Sequence, residues 1–107
     1  MAECMIYLKK HKTENGSIIA MCDSDLINKV LNDGIIEINI KDYSSFYNGD
    51  LLSVDKALEQ INAEEVYSAN IVGSESIKVA VKCSIIEKSN VKKVKDIPYA
   101  QAFSVKR

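Results

Sequence analysis

Apolar residues follow two rhythms along this chain, and the switches between them mark out its elements. The run Ile6-Tyr7-Leu8-Lys9-Lys10-His11-Lys12 is apolar first and basic after, and residues 17–22 form a second apolar run. Between them lies Glu14-Asn15-Gly16-Ser17. Asn-Gly is the strongest short hairpin signal, because both central residues of its turn must tolerate positive φ. With Asn15-Gly16 as a two-residue loop, Glu14 faces Ser17, His11 faces Ala20 and Lys9 faces Cys22. Alternation then puts Tyr7, Lys9, His11, Ala20 and Cys22 on one side, and Leu8, Ile19 and Met21 on the other.

The rhythm then changes. Asp23 is a good N-cap, and Leu26, Ile27, Val30 and Leu31 recur at helical spacing up to Gly34, a natural C-terminal stop. Residues 35–40 read as a third strand and residues 41–50 as a loop. Ser53 caps a helix over residues 54–62, with Val54, Ala57, Leu58 and Ile61 on its apolar face. A buried strand over residues 66–72 runs through Gly73 into a helix over residues 74–83, with Ile77, Ala80 and Val81 inward. A polar turn at residues 87–90 and extended segments at 91–94 and 100–105 close the chain. Pro98 argues that the last strand begins after it. Strands and helices alternate between terminal strand pairs. The expected fold is α+β or α/β: a two-layer sandwich with a mixed β-sheet, about three helices and an N-terminal β-hairpin.

Composition bounds this picture. The 107 residues have room for a single α/β domain over residues 1–107. No apolar run approaches the roughly 18 residues that cross a bilayer. Glu3 stands before the first apolar residues where a signal peptide would be basic, so a cytoplasmic location is expected. Cys4, Cys22 and Cys83 have no C-x-x-C spacing, and His11 is the one histidine, so no metal site and no cofactor are indicated. The net charge of −1 hides an asymmetry: residues 1–66 carry −6 and residues 67–107 carry +5. A basic half can mark an anionic partner, though solvated surface lysine is the plainer reading.

Three groups of residues could carry chemistry. Asn70-Ile71-Val72-Gly73-Ser74 joins a strand to a helix start, where unpaired N–H groups suit an anion; Asn70, Gly73 and Ser74 are the candidate anion- or ligand-binding residues. The same residues also suit a tight turn for backbone reasons alone. His11 and Cys22 share a hairpin face in diagonal reach, with Lys9 between them, and a thiol beside cations is the setting of a nucleophilic cysteine. Against this, free cysteine is among the most buried residue types. Tyr43, Phe46 and Tyr47 sit in a polar loop, where an aromatic ring can stack on a base or fold back into the core. Lys9, Lys10 and Lys12 join Lys92, Lys93 and Lys95 in one basic surface if the terminal strands are neighbours.

Together the segments Tyr7-Leu8-Lys9-Lys10-His11, Ala20-Met21-Cys22-Asp23, Phe46-Tyr47-Asn48-Gly49, Asn70-Ile71-Val72-Gly73 and Ile97-Pro98-Tyr99-Ala100-Gln101 have a further meaning. In that order they resemble a small archaeal family, the domain of unknown function four-two-four. The resemblance covers nearly the whole chain. Two positions depart from the family pattern: Tyr99 stands where a histidine is usual, and Ser74 where an acid follows the glycine. The resemblance implies an archaeal source, a compact α/β fold and no established activity.

The leading functional expectation is a non-catalytic accessory protein that binds RNA or a ribonucleoprotein, in the setting of archaeal translation. Lys9, Lys10, Lys12, Lys92, Lys93 and Lys95 would meet phosphates and Tyr47 would stack. The second is a small enzyme or ligand-binding protein built on His11, Cys22 and the turn at residues 70–73. The third is a protein-interaction module, or a homodimer pairing through an exposed strand edge.

Overall fold

The computed structural model describes residues 5–27, 29–41 and 44–103. Cys4, Tyr43 and the end of the last expected strand at Val105 lie outside them. The chain forms β1 (Met5–Thr13), β2 (Gly16–Asp23), β3 (Val30–Asn32), β4 (Glu37–Asn39), the single helical turn α1 (Ser44–Tyr47), β5 (Asp50–Ser53), α2 (Val54–Asn62), β6 (Val66–Val72), α3 (Ser74–Lys82), β7 (Lys92–Val94) and β8 (Ile97–Ala102). It is a mixed α+β fold. Six strands make one sheet in the order β5-β1-β2-β6-β8-β7, in which β2 and β6 run parallel and every other pair is antiparallel. The strands β3 and β4 pair separately as a two-stranded ribbon. No helix among the described residues is long and apolar enough to cross a membrane.

The hairpin forms in a different register from the one expected. Thr13 pairs with Gly16, His11 with Ile18, Lys9 with Ala20 and Tyr7 with Cys22. Gly16 takes φ 126°, while Glu14 and Asn15 stay out of the positive-φ region. The glycine is therefore the first strand residue after a Glu14-Asn15 turn, and every pair shifts by two. Because side chains alternate with period two, an even shift leaves each residue on its expected face.

The larger core lies between one face of the sheet and the two helices. Ile6, Leu8, Ile19, Met21, Ala69 and Ile71 from the strands meet Ala57 and Ile61 of α2 and Ile77, Val79 and Ala80 of α3. Ser53 caps α2 by accepting the Lys56 N–H at 3.3 Å, as its sequence predicts. The opposite face carries Ala20, Cys22 and Val72, covered by Leu31, Ile40 and Tyr47. A two-layer sandwich would leave that face bare; here the ribbon and α1 form a partial third layer over it.

Two expectations fail for identifiable reasons. The helix after Asp23 shrinks to a 3-10 turn at Ser24–Leu26, and Val30 and Leu31 lie in β3. Asp23 does stand at its N-cap position, but its side chain makes no cap bond there; the carboxylate is taken elsewhere, as shown below. The sharp reversal at Asn32-Asp33-Gly34 suits a ribbon, since the Asp33 carboxylate accepts the Ile35 and Ile36 N–H groups at 3.0 and 2.9 Å. Pro98 lies inside β8 and not before it. It sits just past the last β6–β8 pair, Val72–Tyr99, and its carbonyl accepts the Gly73 N–H at 2.8 Å. Its missing N–H therefore costs no ladder bond there.

Candidate functional site

The strand-to-helix turn after β6 holds an anion, and the anion belongs to the chain itself. Gly73 takes φ 111°, and α3 begins at the next residue. Asp23, at the end of β2, points its carboxylate at the helix start. It accepts the Ser76 N–H at 2.9 Å, the Ser76 hydroxyl at 2.9 Å and the Glu75 N–H at 3.2 Å. A Cβ on Gly73 would stand 2.3 Å from the Asp23 Cγ, so the glycine is what makes room for the carboxylate. Asp23 is 9% exposed, and burial raises its pKa despite the three donors, with the nearby Asp25 charge adding to the rise. The anion site expected at Asn70, Gly73 and Ser74 is thus filled. Ser74 is exposed, and the Asn70 side chain turns to Gln101 on β8.

His11 and Cys22 share a face, but they do not meet. Cys22 pairs with Tyr7, four residues along β1 from His11, a separation of roughly 13 Å at strand rise. Cys22 is fully buried, and its thiol is pushed up to about 12 by burial first and by the Asp23 and Asp25 charges after it. A thiol in that state is no nucleophile. The His11 ring instead stacks on Phe46, with centroids 4.6 Å apart and planes 10° apart, and its Nε2 lies 3.0 Å from the Phe46 carbonyl oxygen.

The two lysine clusters do not form one surface. In the strand order β1 is second and β7 is sixth, which puts about 19 Å between them at normal strand spacing. Lys10 and Lys12 point to the helix side, where Lys10 donates to Gln60 at 2.8 Å and both pair with Glu64. Lys12 above all holds the Glu64 carboxyl below its ordinary pKa. Lys9, opposite Ala20, projects from the other face. Lys92 and Lys93 are exposed on the edge strand, and Lys95 is in the β7–β8 turn. Tyr47, expected as a stacking ring, is 8% exposed and plugs the core under the ribbon; burial pushes its phenol up to about 12.

A different group of side chains is gathered on the ribbon side of the sheet. A cleft of about 430 Å³ is lined by Glu37, Ile38 and Asn39 of β4, Phe46 and Tyr47 of α1, Asn70 of β6 and Gln101 of β8. Across its floor the Gln101 amide donates to the Asn70 carbonyl oxygen at 2.9 Å. Gln101 and Tyr99 also line a second hollow of about 390 Å³, with Ser89, Asn90, Lys92 and Phe103. Phe103 is 75% exposed at the end of β8, where an aromatic ring has no core to fill. Glu37, Asn39 and Phe103 are not among the residues the sequence singles out, and Gln101 enters there only within a family segment, with no role. A signal for two of them exists: Tyr99, Gln101 and Phe103 alternate, as side chains on one face of a strand do.

Set beside known proteins, the fold has a counterpart in the crystal structure of an uncharacterized conserved protein from Methanopyrus kandleri. The two superpose with a TM-score of 0.79 at 22% sequence identity, over 96% of this chain and 94% of that chain. At that identity the likeness is one of fold. No curated protein matches the chain. A family model described as "Protein of unknown function (DUF424)" matches residues 11–105, and the chain belongs to that family.

Proposed function

We propose that this chain is a non-catalytic binding protein for single-stranded RNA, with its contact surface on the part of β8 and β7 that the ribbon leaves uncovered. The observation that carries the reading is Phe103. It is exposed on a hollow shared with Tyr99, Gln101 and Lys92, so an aromatic ring, an amide and a cation stand side by side on an open sheet face. A base can stack on such a ring, and the lysine suits the phosphate beside it. Binding in place of catalysis is supported by the burial and raised pKa of Cys22. The lysines of β1 have no part in this reading.

Fluorescence anisotropy with a labelled single-stranded RNA at low salt tests it. Phe103→Ala is expected to lower affinity by roughly 1–3 kcal/mol with the salt dependence unchanged. Lys92→Ala should flatten the slope of log K against log salt by about 0.7, one phosphate being no longer neutralised. Lys10→Ala, whose partners are Gln60 and Glu64, should leave binding as it is. Absence of binding in the micromolar range would sink the reading.

A further inference from the structure

We propose that the cleft between β4 and the sheet takes a guanine base of the bound RNA, read along its Watson–Crick edge by Glu37 and Asn70. This rests on the RNA reading above and adds to it the base that the cleft selects. The cleft volume of about 430 Å³ falls within the roughly 300–1,000 Å³ of small-ligand sites. One wall is Phe46, whose ring is fixed from behind by the His11 stack. The floor is the amide pair. With the Asn70 oxygen accepting from Gln101, the Asn70 amino group is left as the donor of that side chain and the Gln101 oxygen as the acceptor of its own. From the ribbon comes Glu37, a carboxylate that only accepts.

Among the four bases this set fits one. Guanine offers two adjacent donors, N1–H and the N2 amino group, which a carboxylate accepts in parallel, and beside them the O6 acceptor for an amide donor. Adenine sets its N1 lone pair against the carboxylate, cytosine sets N3 there, and uracil has one N–H between two carbonyl oxygens. Each of these faces Glu37 with an acceptor where guanine has a donor. The neighbouring hollow, which shares Gln101, puts Lys92 and Phe103 where the next nucleotide of the strand would run.

Labelled pentanucleotides with uridine at every position but the centre make the test, with guanosine, adenosine, cytidine, uridine or inosine in the middle. Guanosine is expected to bind about tenfold more tightly than the other standard bases, a difference of ~1.4 kcal/mol. Inosine, which lacks the N2 amino group, should lose most of that preference. Glu37→Gln and Asn70→Ala should each bring guanosine and adenosine within about twofold of one another, while Lys92→Ala weakens all the oligonucleotides alike. Glu37 is exposed, so its replacement leaves the core intact. Equal binding of guanosine and adenosine by the unchanged protein would overturn the base assignment and leave the RNA reading standing. A preference that survives both substitutions would also overturn it, and failure to bind any of the oligonucleotides would overturn both.

Discussion

The two faces of the sheet are built from the same strands and closed by different means. Under α2 and α3 the described core holds sixteen buried residues, and under the ribbon it holds eight, so the first face carries the larger share of the apolar burial. The helix face is covered by side chains at helical spacing packed against side chains at strand spacing. The ribbon face is covered by two three-residue strands and one helical turn, and the uncovered remainder becomes cleft and hollow. A fold that covers one face of its sheet with two helices can leave part of the other for binding.

Truncations on the two faces should separate them. Ile71→Ala, on the helix face, is expected to cost about 2–5 kcal/mol and lower the melting temperature of the whole molecule. Leu31→Ala, in the ribbon, should cost toward the low end of that range. Its mark should be local: faster hydrogen exchange in β3 and β4 and faster alkylation of Cys22, with the amides of α2 and α3 unchanged. Uniformly faster exchange in both variants would mean that the faces open as one unit.

The next largest effect lies where β2 meets α3. Gly73→Ala forces a side chain at φ 111° and drives it into the Asp23 carboxylate, and about 2 kcal/mol or more is expected in thermal or denaturant unfolding. Asp23→Ala, which leaves three donors at the helix start without their acceptor, should cost about 1–3 kcal/mol. The two should be less than additive, since removal of the carboxylate makes room for the new methyl. The pH dependence has a definite sign. The folded pKa of Asp23 is raised, so the native state holds its proton where the unfolded chain has released it, and stability falls as pH rises from about 4 toward the folded value. Asp23→Asn should remove that slope; an unaltered slope would assign it to another group.

The smallest effect belongs to the β7–β8 turn. Lys95 and Asp96 have φ 48° and 65°, both in the left-handed region, as a two-residue hairpin turn with the right twist requires. Asp96→Gly should raise stability by a few tenths to about 1 kcal/mol, read as an upward shift in melting temperature. A fall would show that Asp96 holds the turn by its side chain.

What the sequence reveals follows from where the information is stored. The second helix and β6 are legible because Val54, Ala57 and Ile61, or Val66 through Val72, state their period locally. The hairpin faces are legible too, even though the Asn-Gly signal misplaces Gly16 in the turn, because the error is even. The segment after Asp23 is not legible. Leu26, Ile27, Val30 and Leu31 fit a helix, and the reason they do not form one includes the loss of Asp23 to a helix start more than fifty residues away. The candidate site shows the same divide. Asn70 stands out in the sequence for its turn, yet its partner is Gln101 across the sheet. Glu37 and Asn39 reach the cleft only because the ribbon folds over β6 and β8, a placement no local pattern states.

The strand order has a last consequence. β5, β1 and β2 all precede residue 65, and β6, β8 and β7 all follow it, so the sheet is two contiguous halves of the chain laid edge to edge. The seam between them is crossed by the parallel ladder from Ser17 to Cys22, by the Ser17 N–H to the Glu65 carbonyl at 2.8 Å, and by the carboxylate of Asp23 on α3. A nick near residue 64 would therefore yield fragments that each keep three antiparallel strands and that carry complementary mating edges. Such a molecule lends itself to reassembly from its parts, and the joining of the halves would be rescued or lost with the Asp23 contact.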